Sequence, residues 1–360
     1  MAQEIRTALM GYGHAGSFFH APSLTSVDKF SLDVIVTSDP QRQAAARTDH
    51  PGARVLSREE WARGGADSCA GGGTGIMGNI DLVVVATPPA THVGLATDAL
   101  EAGCAVVVDK PFTLTSSEGD ALIALAKERG QILTTYQNRR WDGEYLTLQK
   151  LLAEGSLGEV RRFESRLERW QPAITKEWKA QSGAADGGGL LFDLGTHLID
   201  QALQLFGPVR GVYGELAARR PVEPAEDDVF VALEHANGVI SHLWMNLSAA
   251  QKGPRLRVLG SKAAYVKEGA DIQESQIQAG ILPGNPGYGI DPQESWGALG
   301  RDGSTTAVPT EPGNFTTFYV LLADAILKGA PVPVDPADSV AGLRIIERIR
   351  DSRKRACASA

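Results

Sequence analysis

Short apolar runs alternate with longer segments of helical period through the first third of the chain. Ile5–Met10, Leu32–Val36, Leu82–Ala86 and Ala105–Val108 are rich in β-branched residues and bounded by glycine, proline or polar clusters. Unbroken apolar character over such lengths suits parallel strands buried on both faces. Between them, Val93–Ala102 and Ser116–Arg129 read as helices, and Gln131–Tyr136 as a further strand. This alternation predicts βαβ units and an open parallel sheet. After Tyr136 the period changes. Residues 137–156 read as helical. Val160–Trp170, Val209–Ala217, Asp228–Glu234, Val239–Leu247 and Leu256–Leu259 read as antiparallel strands, with a hairpin at His235-Ala236-Asn237-Gly238. Phe230, Ala232 and Glu234 alternate with Val231, Leu233 and His235, so one sheet face is expected to bury against helices while the other stays partly polar. Gly189–Asp200 reads as one helix with Asp193 and His197 a turn apart on one face. Phe315–Lys328 and Ala337–Arg353 read as closing helices, residues 280–314 as a long loop, and the glycine-rich stretch 70–79 as a surface loop. The pattern predicts a doubly wound α/β domain over 1–136. An α+β domain with a large, mostly antiparallel open sheet follows over 137–360.

A length of 360 residues fits two domains. The apolar fraction of 43% supplies real cores, and a net charge of −8 leaves no basic footprint for nucleic acid or anionic membrane. The basic run Arg350–Arg355 reads as a solvated helix end. No apolar run reaches membrane-spanning length, and the N-terminus enters a strand-like segment at once, so neither a membrane partner nor a signal peptide is expected. Cys69, Cys104 and Cys357 show no metal or redox spacing, which suits a reducing cytoplasm. The histidines show no paired ligand spacing, so no metal is expected.

Candidate chemistry begins at Gly11-Tyr12-Gly13-His14-Ala15-Gly16, directly after the first strand and before a helix starting at Ser17. Gly-x-G-x-x-Gly in that context is the dinucleotide fingerprint of a Rossmann domain: Gly11 for the tight turn, Gly13 for approach to a pyrophosphate, Gly16 for close helix–strand packing. Pro22 is expected to end or kink that helix early. The second strand ends in Thr37-Ser38-Asp39-Pro40-Gln41-Arg42. An acid at this strand end binds a free ribose 2′-hydroxyl. Thr37, Ser38 and Arg42 suit a 2′-phosphate better, so NADP is the expected cofactor, with NAD as the alternative if Asp39 reaches the ribose. Thr87, Pro88 and His92 lie on the loop after the Leu82 strand, and Asp109, Lys110 and Pro111 on the loop after the Ala105 strand. Such carboxyl-end loops are where open α/β sheets bind ligands, and all six residues are assigned to the cofactor site. Gly187–Gly189 permit close backbone approach before Asp193 and His197. A carboxylate beside an imidazole is a proton-transfer pair, the alternative being a hydrogen-bonded core histidine.

With these motifs in order the sequence resembles the Gfo/Idh/MocA oxidoreductases, relatives of glucose–fructose oxidoreductase and inositol dehydrogenase. The resemblance rests on the glycine loop with His20-Ala21-Pro22, Ala86–His92, Asp109-Lys110-Pro111, Gln137–Asp142, Leu151–Val160 and Gly188–Asp200. It covers nearly the whole chain, and Phe19-His20-Ala21-Pro22 is similar to the bacterial subgroup that includes NADP-dependent scyllo-inositol dehydrogenases. The departures are the 70–79 insertion and Asp109, where many members carry Glu. The resemblance implies that Lys110 lies near the nicotinamide and the reacting hydroxyl. Asp193 and His197 match the family's Asp-x-Gly-x-His, and the histidine takes the alcohol proton. It implies an NAD(P)-dependent dehydrogenase acting on a secondary alcohol of an inositol, sugar or related polyol. It also implies that the open sheet face builds the subunit interface of a homodimer or homotetramer. The family also contains non-catalytic cofactor-binding regulators, against which Lys110, Asp193 and His197 argue, and NAD-dependent glycoside hydrolases. Asp200 shares the helical face of His197. Trp170 and Trp178 read as core aromatics, with cavity lining as the alternative. The candidate specificity loops, roughly 165–187 and 280–300, carry no readable code.

Overall fold

The computed structural model describes residues 4–66, 79–173, 183, 186–220 and 225–358. Cys69, the glycine-rich stretch up to Gly78, Trp178 and the side chains beyond Ser352 lie outside the described residues. The chain forms two compact units, one of residues 1–137, 280–285 and 315–340, the other of residues 138–279, 286–314 and 341–360. The first unit thus takes in two segments from later in the chain.

The first unit holds β1 (Ile5–Met10), β2 (Phe30–Val36), β3 (Arg54–Leu56), β4 (Leu82–Val85), β5 (Ala105–Asp109) and β6 (Leu133–Tyr136). They form one sheet in the order β3-β2-β1-β4-β5-β6, and every pair is parallel. The Val-rich strands β4 and β5 are buried on both faces, as their unbroken apolar runs require. Strand order reverses between β1 and β4, which opens the ligand crevice of a doubly wound sheet at their carboxyl ends. The helices are α1 (Ala21–Thr25), α2 (Pro40–Asp49), α3 (Arg58–Ala66), α4 (His92–Glu101) and α5 (Ser116–Arg129). Thr115 and Glu118 close a capping box at the start of α5, and Gly130 ends it in the left-handed region at φ 64°. A wide π-helical turn, Ala15–His20, precedes α1 and places Pro22 in the first turn of α1, where its missing N–H costs nothing. The helix Thr316–Lys328 also belongs to this unit; its Tyr319 and Phe318 pack on Tyr136.

The second unit holds β7 (Val160–Glu168), β8 (Val209–Ala217), β9 (Asp228–His235), β10 (Ile240–Asn246), β11 (Leu256–Gly260), β12 (Ala264–Lys267), β13 (Gly297–Arg301) and β14 (Ser304–Val308). Their order is β14-β13-β12-β11-β7-β10-β9-β8, antiparallel except for the central β7–β10 pair. Val229, Val231, Leu233, Leu243, Met245, Phe163 and Val258 face a core shared with α8 (Gly195–Phe206), while the opposite face carries Phe230, Ala232 and Glu234 as the alternation predicts. The other helices before α8 are α6 (Gly143–Ala153) and α7 (Leu190–Asp193). Two expectations fail here. The stretch 280–314 is not all loop: it carries β13 and β14, a hairpin whose residues are mostly half-buried or exposed, so no apolar period announced it. The expected single helix over Gly189–Asp200 is two, α7 and α8, separated by Leu194 at φ −109° and ψ −32°.

Candidate active site

The glycine loop is tight because neighbouring backbone leaves no room for side chains. Gly11 sits at φ +101°, its N–H donates to the Val36 carbonyl, and a Cβ there would lie 2.5 Å from the Ala86 carbonyl oxygen. A Cβ on Gly16 would fall inside the Gly11 carbonyl. A Cβ on Gly13 would meet the Arg42 guanidinium at 3.5 Å, so Arg42 lies against the loop. The loop thus forms a backbone cradle at the start of a helical turn, which fits a dinucleotide phosphate. Ala15 opens that turn, and His14 is exposed and stacks on Phe18. The Tyr12 side chain is engaged with α2. Its buried hydroxyl donates to Asp49 at 2.9 Å, and burial with that acceptor pushes its pKa well up.

At the end of β2 the Thr37 carbonyl accepts from Gln43, and Ser38 Oγ accepts from the Arg58 N–H at 3.2 Å. Asp39 caps α2, its carboxylate accepting from the Arg42 N–H at 2.9 Å. The acid that an NAD site needs is therefore engaged with the helix start, while the Arg42 side chain stands beside Gly13.

The two loops at the carboxyl ends of β4 and β5 are tied internally. Thr87 Oγ1 and Thr91 Oγ1 share a 2.7 Å hydrogen bond, and Thr91 Oγ1 also donates to the Pro88 carbonyl. His92 does not project into the crevice. Its ring is buried between the carbonyl oxygens of Thr87 and Pro111. The Lys110–Pro111 peptide is cis, and the Lys110 N–H donates to Asp109 at 2.8 Å. Burial pushes the Asp109 carboxyl up. The nearby His20, whose Nε2 lies 3.9 Å from Asp109 Oδ1, and Lys110 and His92 outweigh that, and its pKa lies below the usual carboxylate value. His20 in turn shares a 2.6 Å hydrogen bond with the Tyr319 hydroxyl. Sequence reasoning gave His20 no role; its signal was its place in the Phe-His-Ala-Pro run.

In the second unit, Gly189 at φ +95° starts α7, and a Cβ there would collide with the Glu226 carboxylate. Asp193 ends α7, half-buried, and His197 lies in the first turn of α8, 4% exposed. Behind His197, Asp200 accepts from Arg140 Nε at 2.8 Å and Nη2 at 2.6 Å. Gln201 donates to the Arg139 carbonyl at 2.9 Å. These bonds bolt α8 to the 3₁₀ turn Asn138–Trp141, so Asp200 is a clamp on the helix. Beside that turn the buried Asp142 and Glu144 and the half-buried Asp271 form an acidic group facing Arg139 and Arg255. Burial pushes the Asp142 carboxyl well up and Asp271 up to about 7. Trp170 is 58% exposed, against the expectation of core packing.

A glycine cradle at the switch point of a doubly wound sheet, joined in one chain to an antiparallel-sheet unit with a buried histidine helix, defines a dinucleotide-dependent oxidoreductase. The chain belongs to the Gfo/Idh/MocA family: the oxidoreductase family's NAD-binding Rossmann fold matches residues 5–137 and the GFO/IDH/MocA C-terminal domain matches residues 145–266. It is 38% identical to the uncharacterized oxidoreductase YdgJ of Escherichia coli, with 98% of each chain covered. It is 33% identical to the NADP(+) scyllo-inositol 2-dehydrogenase IolW of Bacillus subtilis, covering 97% of this chain and 94% of that one. The solved structure of yvaA from Bacillus subtilis superposes with a TM-score of 0.88 at 31% identity, over 99% of this chain and 98% of that one. The protein is therefore an NAD(P)-dependent dehydrogenase. No helix among the described residues is long and apolar enough to cross a membrane.

Proposed function

We propose that this enzyme moves a hydride between a nicotinamide cofactor, NADP in preference to NAD, and a secondary alcohol of an inositol, sugar or related polyol in the cytoplasm. The observation that carries the cofactor choice is the Arg42 guanidinium against Gly13, with Asp39 engaged as a helix cap. A 2′-phosphate there gains a charge-assisted donor, whereas the carboxylate that would serve a free ribose already gives one oxygen to the helix start. The polyol class is supported by the likeness to IolW and by Lys110, Asp193 and His197, which match the family's catalytic motifs.

Bound nicotinamide supplies the hydride acceptor. The chain does the rest. His197 removes the hydroxyl proton as the carbinol loses hydride, and Asp193 stabilises the resulting imidazolium. Lys110 donates to the same substrate oxygen and stabilises developing alkoxide charge. The rigid seating of α8 by Arg140 and Asp200 keeps the base in place. The deciding experiment screens inositols, sugars and sugar acids for formation of reduced nicotinamide. Turnover of a polyol with NADP is expected. Tight cofactor binding without turnover of any of them would favour a regulator instead, and cofactor retained through purification a glycoside hydrolase.

The assembly belongs to the same proposal. On the open face of the second sheet, Tyr213 is 57% exposed and meets Phe230, which meets His242 and Trp244. The Arg166 guanidinium lies 3.9 Å over the Trp244 ring. A patch of this kind is seldom left open in a monomer, and a second copy of the chain is its proposed cover, in a homodimer or homotetramer.

A further inference from the structure

The imidazole of His92 is placed where neither catalysis nor cofactor contact uses it. The residue begins α4 and is 1% exposed. Its Nδ1 lies 2.9 Å from the Pro111 carbonyl oxygen and its Nε2 2.9 Å from the Thr87 carbonyl oxygen. A carbonyl oxygen only accepts, and a neutral imidazole has a single N–H to give. Both contacts are therefore hydrogen bonds only when the ring carries two protons. His235 shows the contrast: its ring meets the Gly207 carbonyl on one side and the Ser241 hydroxyl on the other, and a hydroxyl can donate to the bare nitrogen. His92 has no such adaptable partner.

The two carbonyls belong to different loops. Thr87 starts the loop after β4, and Pro111 closes the Asp109-Lys110-Pro111 turn after β5. The ring spans the gap between them. We propose that His92 is a positioning residue which, as an imidazolium, clamps the Thr87 loop to the Lys110 turn, and that losing one ring proton releases one loop and weakens dinucleotide binding. This rests on the reading of those loops as part of the dinucleotide site.

The groups around the ring set where the clamp opens. Burial opposes the charge and pulls the His92 pKa below that of an ordinary histidine; the Thr87 carbonyl, the Asp109 carboxylate at the end of β5 and the Pro111 and Phe112 backbone pull the other way without overcoming it. Asp109 also feels His20 from the turn before α1 and Lys110 next to it, and both help keep it ionised. The clamp is thus fully made on the acid side of the ordinary histidine range. As pH rises through the ring's pKa, one nitrogen loses its proton and meets a carbonyl lone pair at hydrogen-bond distance, a repulsive contact.

Two measurements on the full chain decide it. In protein labelled with ¹⁵N-histidine, the His92 ring is followed from about pH 5 to about pH 8, the span in which histidines titrate. Two protonated nitrogens should give way to one across a transition below the ordinary histidine value. A ring that keeps one protonation pattern over the whole range overturns the proposal. Over the same range the dissociation constant is measured for NAD, which carries no titrating 2′-phosphate. It should rise by about ten-fold, the worth of one hydrogen bond. H92Q, whose single amide nitrogen cannot reach two opposed carbonyls, should bind at the weak level at every pH. An equal pH slope in wild type and H92Q overturns the proposal as well. The ring titration needs no dinucleotide, so failure of the clamp and failure of the dinucleotide reading give different results.

Discussion

At the scale of single residues, each expected side chain can be tested by substitution. His197 carries the most direct expectation. His197→Ala should lose roughly 10²–10⁴-fold in kcat while cofactor binding, measured by fluorescence titration, stays intact. The limb of the pH–rate profile for oxidation that belongs to the base should vanish with it, and Lys110→Ala should fall by a comparable factor. Near-normal kcat in the His197 variant would leave that residue as a core histidine. Arg42 tests the cofactor choice. Arg42→Ala should weaken NADP binding by about ten-fold or more and leave NAD nearly unchanged, because only the 2′-phosphate uses the guanidinium; equal losses for both would refute the assignment. The glycine loop was legible because a steric requirement is local: nothing but glycine fits Gly11 and Gly16. Asp39 and His92 were not legible in the same way. Their partners are backbone groups, an N–H in α2 and carbonyls of two loops, and no spacing in the chain announces where a backbone carbonyl will point.

At the scale of elements, limits were legible where the sequence marks them. β1 stops at Gly11, β8 begins after Gly207-Pro208, and α5 lies between a capping box and Gly130, and the limits of all three are those the pattern predicts. The hairpin β13–β14 hid because its strands bury little. It is held at Gly297, where any side chain would strike the Tyr265 ring. The break at Leu194 hid because the apolar period runs straight through it. The link between Trp141, α6 and the Asp271 segment makes a measurable claim. Asp271 accepts from the Gly143 N–H at 2.7 Å and from the Gln273 N–H at 2.7 Å, yet burial and the neighbouring Glu144 hold its carboxyl up at about 7. The folded chain therefore keeps a proton that the unfolded chain has released above about pH 4. Stability conferred by this group is fully present below that value, declines as pH rises to about 7 and is flat beyond. Urea midpoints across this window should fall in the wild type and fall less in Asp271→Asn. The slope is the readout, so an overall loss from the missing acceptor does not confuse it. An unchanged slope would show that the proton sits elsewhere in the acidic group.

At the scale of the molecule, the open aromatic face predicts assembly. Light scattering at micromolar concentration should report a dimer or tetramer, and Trp244→Arg should shift it toward monomer without loss of fold by circular dichroism; a monomeric wild type would contradict the proposal. The division of the chain was the least legible feature. Helical periods show that Thr316–Lys328 buries one face, but not which sheet it covers. In the structure it completes the dinucleotide unit, bringing Tyr319 to His20 and Phe318 to Tyr136. That arrangement has a consequence for biosynthesis. The ribosome releases the glycine loop and all of its sheet first, and residues 138–314 must follow before the closing helix appears, roughly 10–35 s of translation at about 5–20 residues per second. Through that interval the nascent dinucleotide unit waits with the Tyr136 and His20 surfaces uncovered, a natural client for a holding chaperone. Chains stalled once residue 137 has emerged should be cut readily within it by protease, and chains stalled once residue 340 has emerged should resist; equal resistance would mean that the sheet closes without its late helix.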